Sequence, residues 1–455
     1  MLLYALLVYF VILIGLAIFM SGRLESDEDF LVGGRQFSLW LTTFCLFATW
    51  FGAGTLIAAA DEVAAEGLQV TALEPYGAGF CLIFAGLFFA KPLWEMKLMT
   101  YADLFRDKFG PRVEVMSVFL NIPVYVGWIA VQIVSLANIL AVFFPLPVWS
   151  FILGISLLAC LLTISGGMWS VSITDSFQLF IIILGLFYLL FKISGLVPDG
   201  LLGLAQAVPA ERWVLIPTDK ASDLFNWVGV FCISALGNMT GQDLGQRMFS
   251  AKSARVAQLG CYFAGAGYIL IGSIPVFLGL TATVTMGEFE GSVIPNLIKT
   301  FLDPVTAVVL TLTIISAVIS TITSALLAPS SMISNNYLKY KYPNVSTLAL
   351  CKIGVVIVTV ISVAVAFAGE DVYGLLEASY AVGFVGFFLP VLLGMFSTKL
   401  DEKACLISIV VGILVWSPEF FGYENLPYSL LGVLAEVPVY FIAYAYFQKV
   451  PGPKG

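Results

Sequence analysis

The chain has 455 residues, of which 60% are hydrophobic and 11% charged, and its mean hydropathy is +1.00. That composition lies outside the soluble globular range and reads as an all-α polytopic membrane protein. The formal charge of -8 sits in loops and points to no nucleic-acid partner, and the absence of histidine removes histidine proton relays, histidine metal ligands and a Ser-His catalytic pair. The lipid bilayer is the partner that composition does imply, and an enzyme is not expected.

Apolar runs broken by charges or Gly/Pro turns predict thirteen spans: 2–20, 38–60, 69–92, 114–143, 147–165, 171–193, 223–246, 255–281, 302–335, 345–369, 373–397, 403–420 and 428–448. The first lacks a basic leader and a small-residue cleavage site, so it reads as a retained helix. With the N-terminus outside, seventeen of the 21 basic residues fall on the inner side, among them Arg35, Lys91, Arg106, Arg247 and Lys454; Lys192, Arg212, Lys220 and Lys299 fall outside. This obeys the positive-inside rule and places the C-terminus inside. The expected location is the plasma (bacterial inner) membrane. The seven cysteines show no CxxC spacing and read as small apolar residues.

Two spans carry the same peculiarity. In the second, Gly52, Ala53 and Gly54 interrupt the helix where the membrane centre should lie; in the seventh, Gly237, Gly241 and Gly245 do so among Asn238, Thr240, Gln242 and Asp243. Glycine loosens a helix, and a carbonyl freed in hydrocarbon must find another partner. The competing explanation is close helix packing through small residues. Matched interruptions five spans apart predict two five-helix halves in opposite orientation, and broken helices of this kind point to the ion and substrate site of a secondary transporter. The expected divisions are 1–37 (first helix and cytoplasmic loop), 38–193 (first repeat), 194–222 (extracellular loop), 223–397 (second repeat) and 398–455 (two C-terminal helices and a short tail).

On the ninth span Ser316, Ser320 and Ser324 recur four residues apart on one face, with Ala317 and Thr321 in the adjoining row. Such a stripe offers neutral oxygens, which suit a hard cation such as Na+, and the freed carbonyls of Ala48 and Phe51 would complete the shell. The alternative is that each hydroxyl bonds its own helix. Asp175, in the sixth span, is either a functional carboxylate or one favoured by a nearby helix N-terminus. Trp50, beside the first break, offers an indole face. Asp243 either faces the second break or pairs with Arg247 at the inner surface.

Gly33-Gly34-Arg35, then Gly166-Gly167-Met168 leading to Thr174-Asp175 and Gln178, then Ala317-x-x-Ser320-Thr321 resemble the motifs of the sodium/solute symporter family, in this order from about Gly33 to Leu400. The resemblance implies the LeuT-type 5+5 inverted-repeat fold, alternating access and a Na+ gradient as energy source. It assigns one sodium site to Ala48, Phe51, Ala317, Ser320 and Thr321, and a second to Asp175 with Ser320, Thr323 and Ser324. Locally, Ala48-Thr49-Trp50 with Gly52 and Gly54, and Phe88-Phe89-Ala90-Lys91-Pro92, are most similar to the choline branch. Trp50 matches a wall of that branch's aromatic cage and Trp128 aligns as a third wall across a gap. Gly241 stands before Gln242 where the branch has a second tryptophan. The substrate set is therefore Trp50, Gly52, Trp128, Gly241, Gln242 and Asp243.

The function these readings favour is Na+-coupled import of a small organic solute, a cation or zwitterion before an amino acid such as proline or a monocarboxylate. The preference rests on Trp50 and on acidic residues with no buried Lys or Arg beside them. An ion channel and a transporter-like sensor are the readings of another class.

Overall fold

The computed structural model describes residues 1–195, 197–286, 291–294, 296–297, 303–368, 372–423 and 425–449; Lys299, Lys454 and the expected span limits 302 and 369 lie outside them. Among the described residues, ten helices are long and apolar enough to cross a bilayer, and two bent pairs bring the number to twelve. One of the ten, Val148–Lys192, has 45 residues. At 1.5 Å per residue it runs about 68 Å, over twice a hydrocarbon core of ~30 Å. Gly167 divides it, with φ 51° and ψ -133°. Dividing it there gives up to thirteen candidate spans among the described residues, with the division beside Ser165-Gly166-Gly167.

Both interrupted spans are bent. Leu39–Trp50 and Gly54–Glu66 meet at 63°, and Ala221–Thr240 and Gln242–Ser250 at 48°. At the first bend Phe51 leaves the helical region with ψ 72°; at the second, Gly241 does so with ψ 130°. The Pro304–Ile333 helix is the central post. It packs on Val148–Ser194, Pro111–Phe143, Leu39–Trp50 and Gln242–Ser250. Its apolar run continues to Lys341, which explains the unusual length of the ninth span. Leu2–Ser21 leans on Val148–Ser194, and the last two helices, Glu402–Phe420 and Tyr428–Lys449, pack on each other and on Val372–Phe396.

Short amphipathic pieces fix the loops on one side. Ser26 and Thr100 each form a reciprocal cap with the aspartate three residues on, Asp29 and Asp103. Both leave helix N-terminal amides satisfied without water. Arg247 departs from expectation. The charge pattern places it at the inner surface, whereas its side chain is fully buried in the Gln242–Ser250 helix.

Gly167 tests the division of the long element. Its positive φ and the position of Phe30, whose carbonyl oxygen would stand 2.5 Å from an added Cβ, both oppose a side chain. Gly167→Ala is expected to destabilise the purified protein by about 1–3 kcal/mol, read as a lower melting temperature in detergent. An unchanged melting temperature would contradict the strained turn.

Candidate functional site

The first bend sets the site. Within a continuous helix the Ala48 carbonyl would accept from the Gly52 amide, but that amide turns to the Trp50 carbonyl at 2.7 Å. The Ala48 oxygen is thereby released, and the Ser320 hydroxyl reaches it at 3.2 Å. Ser320 also lies 2.9 Å from the Ala317 carbonyl, which Thr321 approaches at 3.0 Å. A Cβ added at Gly52 would stand 2.6 Å from Thr321 Oγ1, so the chain at residues 51–52 runs directly against that hydroxyl. Ala48, Ala317, Ser320 and Thr321 thus come together at the break, with Phe51 on its edge. All five are buried. Neutral oxygens converging in a dry site suit a desolvated alkali cation.

A second polar group adjoins it. Ser324 donates to Asp175 Oδ2 at 3.0 Å and accepts from Arg247 Nη2 at 2.5 Å, with Thr49 Oγ1 at 3.3 Å. Asp175 Oδ1 is buried without a partner. The orphaned oxygen fits a cation ligand, since a buried lone pair left unpaired is costly. Asp175 stands eight residues beyond the Gly167 turn, inside the helix, so the N-terminal account of this carboxylate does not hold. Thr323 behaves as Thr321 does toward Ala317. Its hydroxyl bonds the carbonyls of Ile319 and Ser320 on its own helix. The serine stripe is also split three ways, for Ser316 meets the Tyr9 hydroxyl at 3.0 Å rather than the broken helix.

The second bend supplies the neighbouring cavity, ≈ 30 Å³, lined by Trp50, Asn121, Val124, Tyr125, Trp128, Gly237, Asn238, Thr240, Gly241, Asp243, Tyr380, Gly383 and Phe387. That is room for about one water. Asp243 anchors it, for its carboxylate accepts from the Trp50 indole and the Tyr125 hydroxyl. The Trp128 ring lies 5.9 Å from Tyr125 and 6.4 Å from Tyr380, so the wall is aromatic on three sides. A larger cleft of ≈ 710 Å³ lies beside Glu62, Glu66, Asp223, Glu377 and Glu419.

Several expectations need correction. Gln242 does not line the cavity; its Oε1 accepts from the Tyr101 amide at 2.8 Å. Gly52 faces Gln132 and Thr321, on the side of the Ser320 group. Asp243 does not pair with Arg247 through its carboxylate; Arg247 Nη1 donates to the Asp243 backbone carbonyl at 3.1 Å. The argument that no buried cation adjoins the acidic residues therefore fails, because Arg247 stands behind both Asp175 and Asp243. The residues that sequence reasoning missed are Tyr125, Gln132, Tyr268, Tyr380 and Glu74. Only Glu74 carried a signal, a carboxyl inside an apolar span, the same signal that marked Asp175.

A model of the sodium:solute symporter family matches residues 30–412. The chain belongs to that family. It is 27% identical over 419 residues to the high-affinity choline transporter 1 of Torpedo marmorata, covering 87% of this chain and 71% of the relative. The human high-affinity choline transporter 1 is 28% identical over 440 residues, covering 92% and 74%. The sodium/glucose cotransporter of Vibrio parahaemolyticus is 22% identical over 448 residues, covering 89% and 82%. Among solved structures, a Na+-coupled sialic acid symporter in a substrate-bound outward-open state superposes with TM-score 0.84 at 19% identity, covering 98% of this chain and 97% of that one. A nucleobase-cation-symport-1 family transporter superposes at 0.64 and 15%, covering 94% and 96%. The family member described here is thus a multi-pass transporter of the LeuT-type 5+5 inverted-repeat fold, and not an enzyme.

Arg247 and Asp175 test the buried charge arrangement. Arg247→Met removes the cation and leaves the carboxylate, so it is expected to destabilise; adding Asp175→Asn removes the charge and restores part of the loss. A double-mutant cycle of unfolding should show a coupling of about 0.5–3 kcal/mol. Strict additivity would mean that the two groups do not sense each other through Ser324.

Proposed function

We propose that this chain is a Na+-coupled symporter that imports a small organic cation or zwitterion by alternating access. The observation that carries the Na+ part is the convergence of the Ala48 and Ala317 carbonyls with the Ser320 and Thr321 hydroxyls at a helix break. Asp175 and Ser324 adjoin that group and form the candidate second ion position, with Thr323 left to its own helix.

The cation preference now rests on the cavity rather than on the lack of buried arginine. Its wall joins the indoles of Trp50 and Trp128 to the Asp243 carboxylate, and Arg247 is not among the lining residues. An ammonium over an indole face beside a carboxylate is favoured by both. A free carboxylate there would meet Asp243, which sets solutes that carry one, proline and monocarboxylates among them, behind an organic cation. The likeness to choline transporters supports the same choice of substrate class. The acidic cleft at Glu62, Glu66, Asp223 and Glu377 would concentrate cations on that face. The positive-inside pattern supports a reading with this face and the N-terminus outside and the C-terminus inside, in a plasma membrane.

At ≈ 30 Å³ the cavity admits no solute of several heavy atoms, so loading requires its walls to part. The two breaks are where such motion costs least, because the backbone hydrogen bonds are already interrupted there. Na+ filling the oxygens at Ala48 and Ser320 fixes the first break, and Trp50, two residues on, then presents its ring to the solute.

Na+ should raise the melting temperature relative to K+ at equal ionic strength, by about 2.7 kcal/mol of stability at a hundred times Kd. Ser320→Ala and Thr321→Ala should each shrink that gain, read against each variant's own stability in K+, which Ser320→Ala lowers because the Ala48 carbonyl loses its partner. If both variants keep the parent's half-saturating Na+ concentration, the ion lies elsewhere.

With choline as the probe and Na+ present, Trp50→Ala should weaken binding ~2- to 30-fold, the worth of a cation–π contact of ~0.5–2 kcal/mol. Trp50→Phe should lose less, and the Na+ response alone should survive in both. A choline Kd unchanged by Trp50→Ala, measured by titration calorimetry, would make the indole packing only.

A further inference from the structure

Glu74 is a buried carboxyl on the Leu68–Glu95 span that neither the Na+ ligands nor the cavity wall employs. It is the centre of a chain of oxygens. Thr55 Oγ1 lies 2.7 Å from Glu74 Oε2 and in close contact with the Tyr268 hydroxyl. Tyr268 lies 2.9 Å from the Trp50 carbonyl at the first break, and 3.1 Å from Glu74 Oε2. Tyr380 lies 3.3 Å from Glu74 Oε1. These groups come from four separate elements, and none of them is cationic. Cys81, fully buried, and Asp243, on the same cavity as Tyr380, are the other titratable groups whose charge reaches Tyr380.

Hydrogens can be counted across this chain. The three hydroxyls bring three hydrogens. Five contacts compete for them: Thr55 with Glu74, Thr55 with Tyr268, Tyr268 with the Trp50 carbonyl, Tyr268 with Glu74 Oε2, and Tyr380 with Glu74. With Glu74 ionised, Thr55 and Tyr380 donate to its two oxygens and Tyr268 donates to Trp50. The closest contact, Thr55 with Tyr268, is then left with no hydrogen, and two lone pairs face each other in a dry site. A proton on Glu74 Oε2 removes the conflict. Glu74 donates to Thr55, Thr55 to Tyr268, and Tyr268 to the Trp50 carbonyl, while Tyr380 donates to Oε1. Four of the five contacts then hold one hydrogen each, and the fifth, Tyr268 with Oε2 at 3.1 Å, is the span between the two ends of the Thr55 link, long enough for two oxygens to touch without one. The carboxyl carries no charge that the bilayer interior would penalise.

We propose that Glu74 is a proton-binding site, occupied in this conformation, whose proton ties the bend at Trp50 to the Leu68–Glu95, Ala254–Thr285 and Val372–Phe396 helices. The placement gives the proton leverage. Glu377 and Ala378 border the acidic cleft and Tyr380 borders the aromatic cavity, so the Glu74–Tyr380 contact lies between the two spaces along one helix. Loss of the proton reverses the donor direction at Thr55 and sets that oxygen against Tyr268, loosening the hold on the Trp50 carbonyl. Protonation at Glu74 and opening between cleft and cavity are therefore linked events, independent of which solute the cavity takes.

Glu74→Gln supplies the test, because its amide donates to Thr55 and accepts from Tyr380 as the protonated acid does. The parent protein in lipid nanodiscs in K+ at pH 7, minus Glu74→Gln, is expected to show the infrared carbonyl band of one protonated carboxyl. The parent's melting temperature should fall as pH rises above the ordinary carboxyl range, where the unfolded chain has lost the proton that the folded state still holds, while Glu74→Gln flattens that part of the profile and matches the parent at its acid end. Thr55→Val, which cuts the chain, should lower the stability of the parent at its acid end and that of Glu74→Gln by similar amounts. A carboxylate band in the difference spectrum would overturn the proposal. So would a band that switches from acid to carboxylate when Na+ replaces K+, which would make the group a metal-ion ligand. Parallel pH profiles for parent and Glu74→Gln would overturn it as well.

Discussion

The constraint on which this structure depends is the fate of the backbone carbonyls released where the second span bends. Hydrocarbon offers them nothing, so side chains from other helices must. Ser320 answers the Ala48 oxygen, Tyr268 answers the Trp50 oxygen, and Gln132 Oε1 takes the Ala53 amide at 2.6 Å. Each answering group sits on a different helix; the Ser320 helix carries the proposed ion site and the Gln132 helix lines the cavity. The bend is therefore both a local defect and the point that orients the surrounding bundle. A Cβ at Gly52 would strike Gln132 and Thr321, which is why the chain needs glycine at that step.

Buried charge is the second organising feature. Asp175, Arg247 and Asp243 lie in one polar seam at the foot of the cavity, linked by Ser324 and by the Asp243 backbone. The seam contains two carboxylates and one guanidinium, with one carboxylate oxygen unpartnered. A monovalent cation would balance it. The same seam holds the Trp50 indole through Asp243, so ion and solute positions share a framework without sharing ligands. That is the physical content of coupling in this account. A change in the charge of the seam alters the setting of the ring that meets the solute.

Composition and periodicity were enough for the membrane class, the candidate spans and both bends, because those features follow from hydrophobic length and from glycines in apolar runs. The hydroxyl row at Ser320 and Thr321 was legible for the same reason, a spacing that places both beside Ala317 on one helix. What the sequence could not show is which neighbour each polar group chooses. Ser316 and Ser324 share a stripe with Ser320 yet meet Tyr9 and Asp175, because three different helices pass that face. Gln242 turned to a backbone amide of the Tyr101–Lys108 helix, a choice only tertiary packing makes. Arg247 misled because charge patterning treats every arginine near a span end as solvated, whereas this one is desolvated and partnered inside. Tyr125 and Tyr380 carry no spacing signal at all; they are aromatic residues in apolar helices until the bends bring them to Asp243 and Glu74.

The central claim is that the bend and the Pro304–Ile333 helix together bind Na+. Equilibrium binding of radioactive sodium to the purified protein, with K+ as the background cation, tests it most directly. The account predicts saturable binding in the parent, loss of that binding in the Ser320→Ala/Thr321→Ala double variant, and retention in Trp50→Ala. Saturable binding undiminished in the double variant, or none in the folded parent, would contradict it.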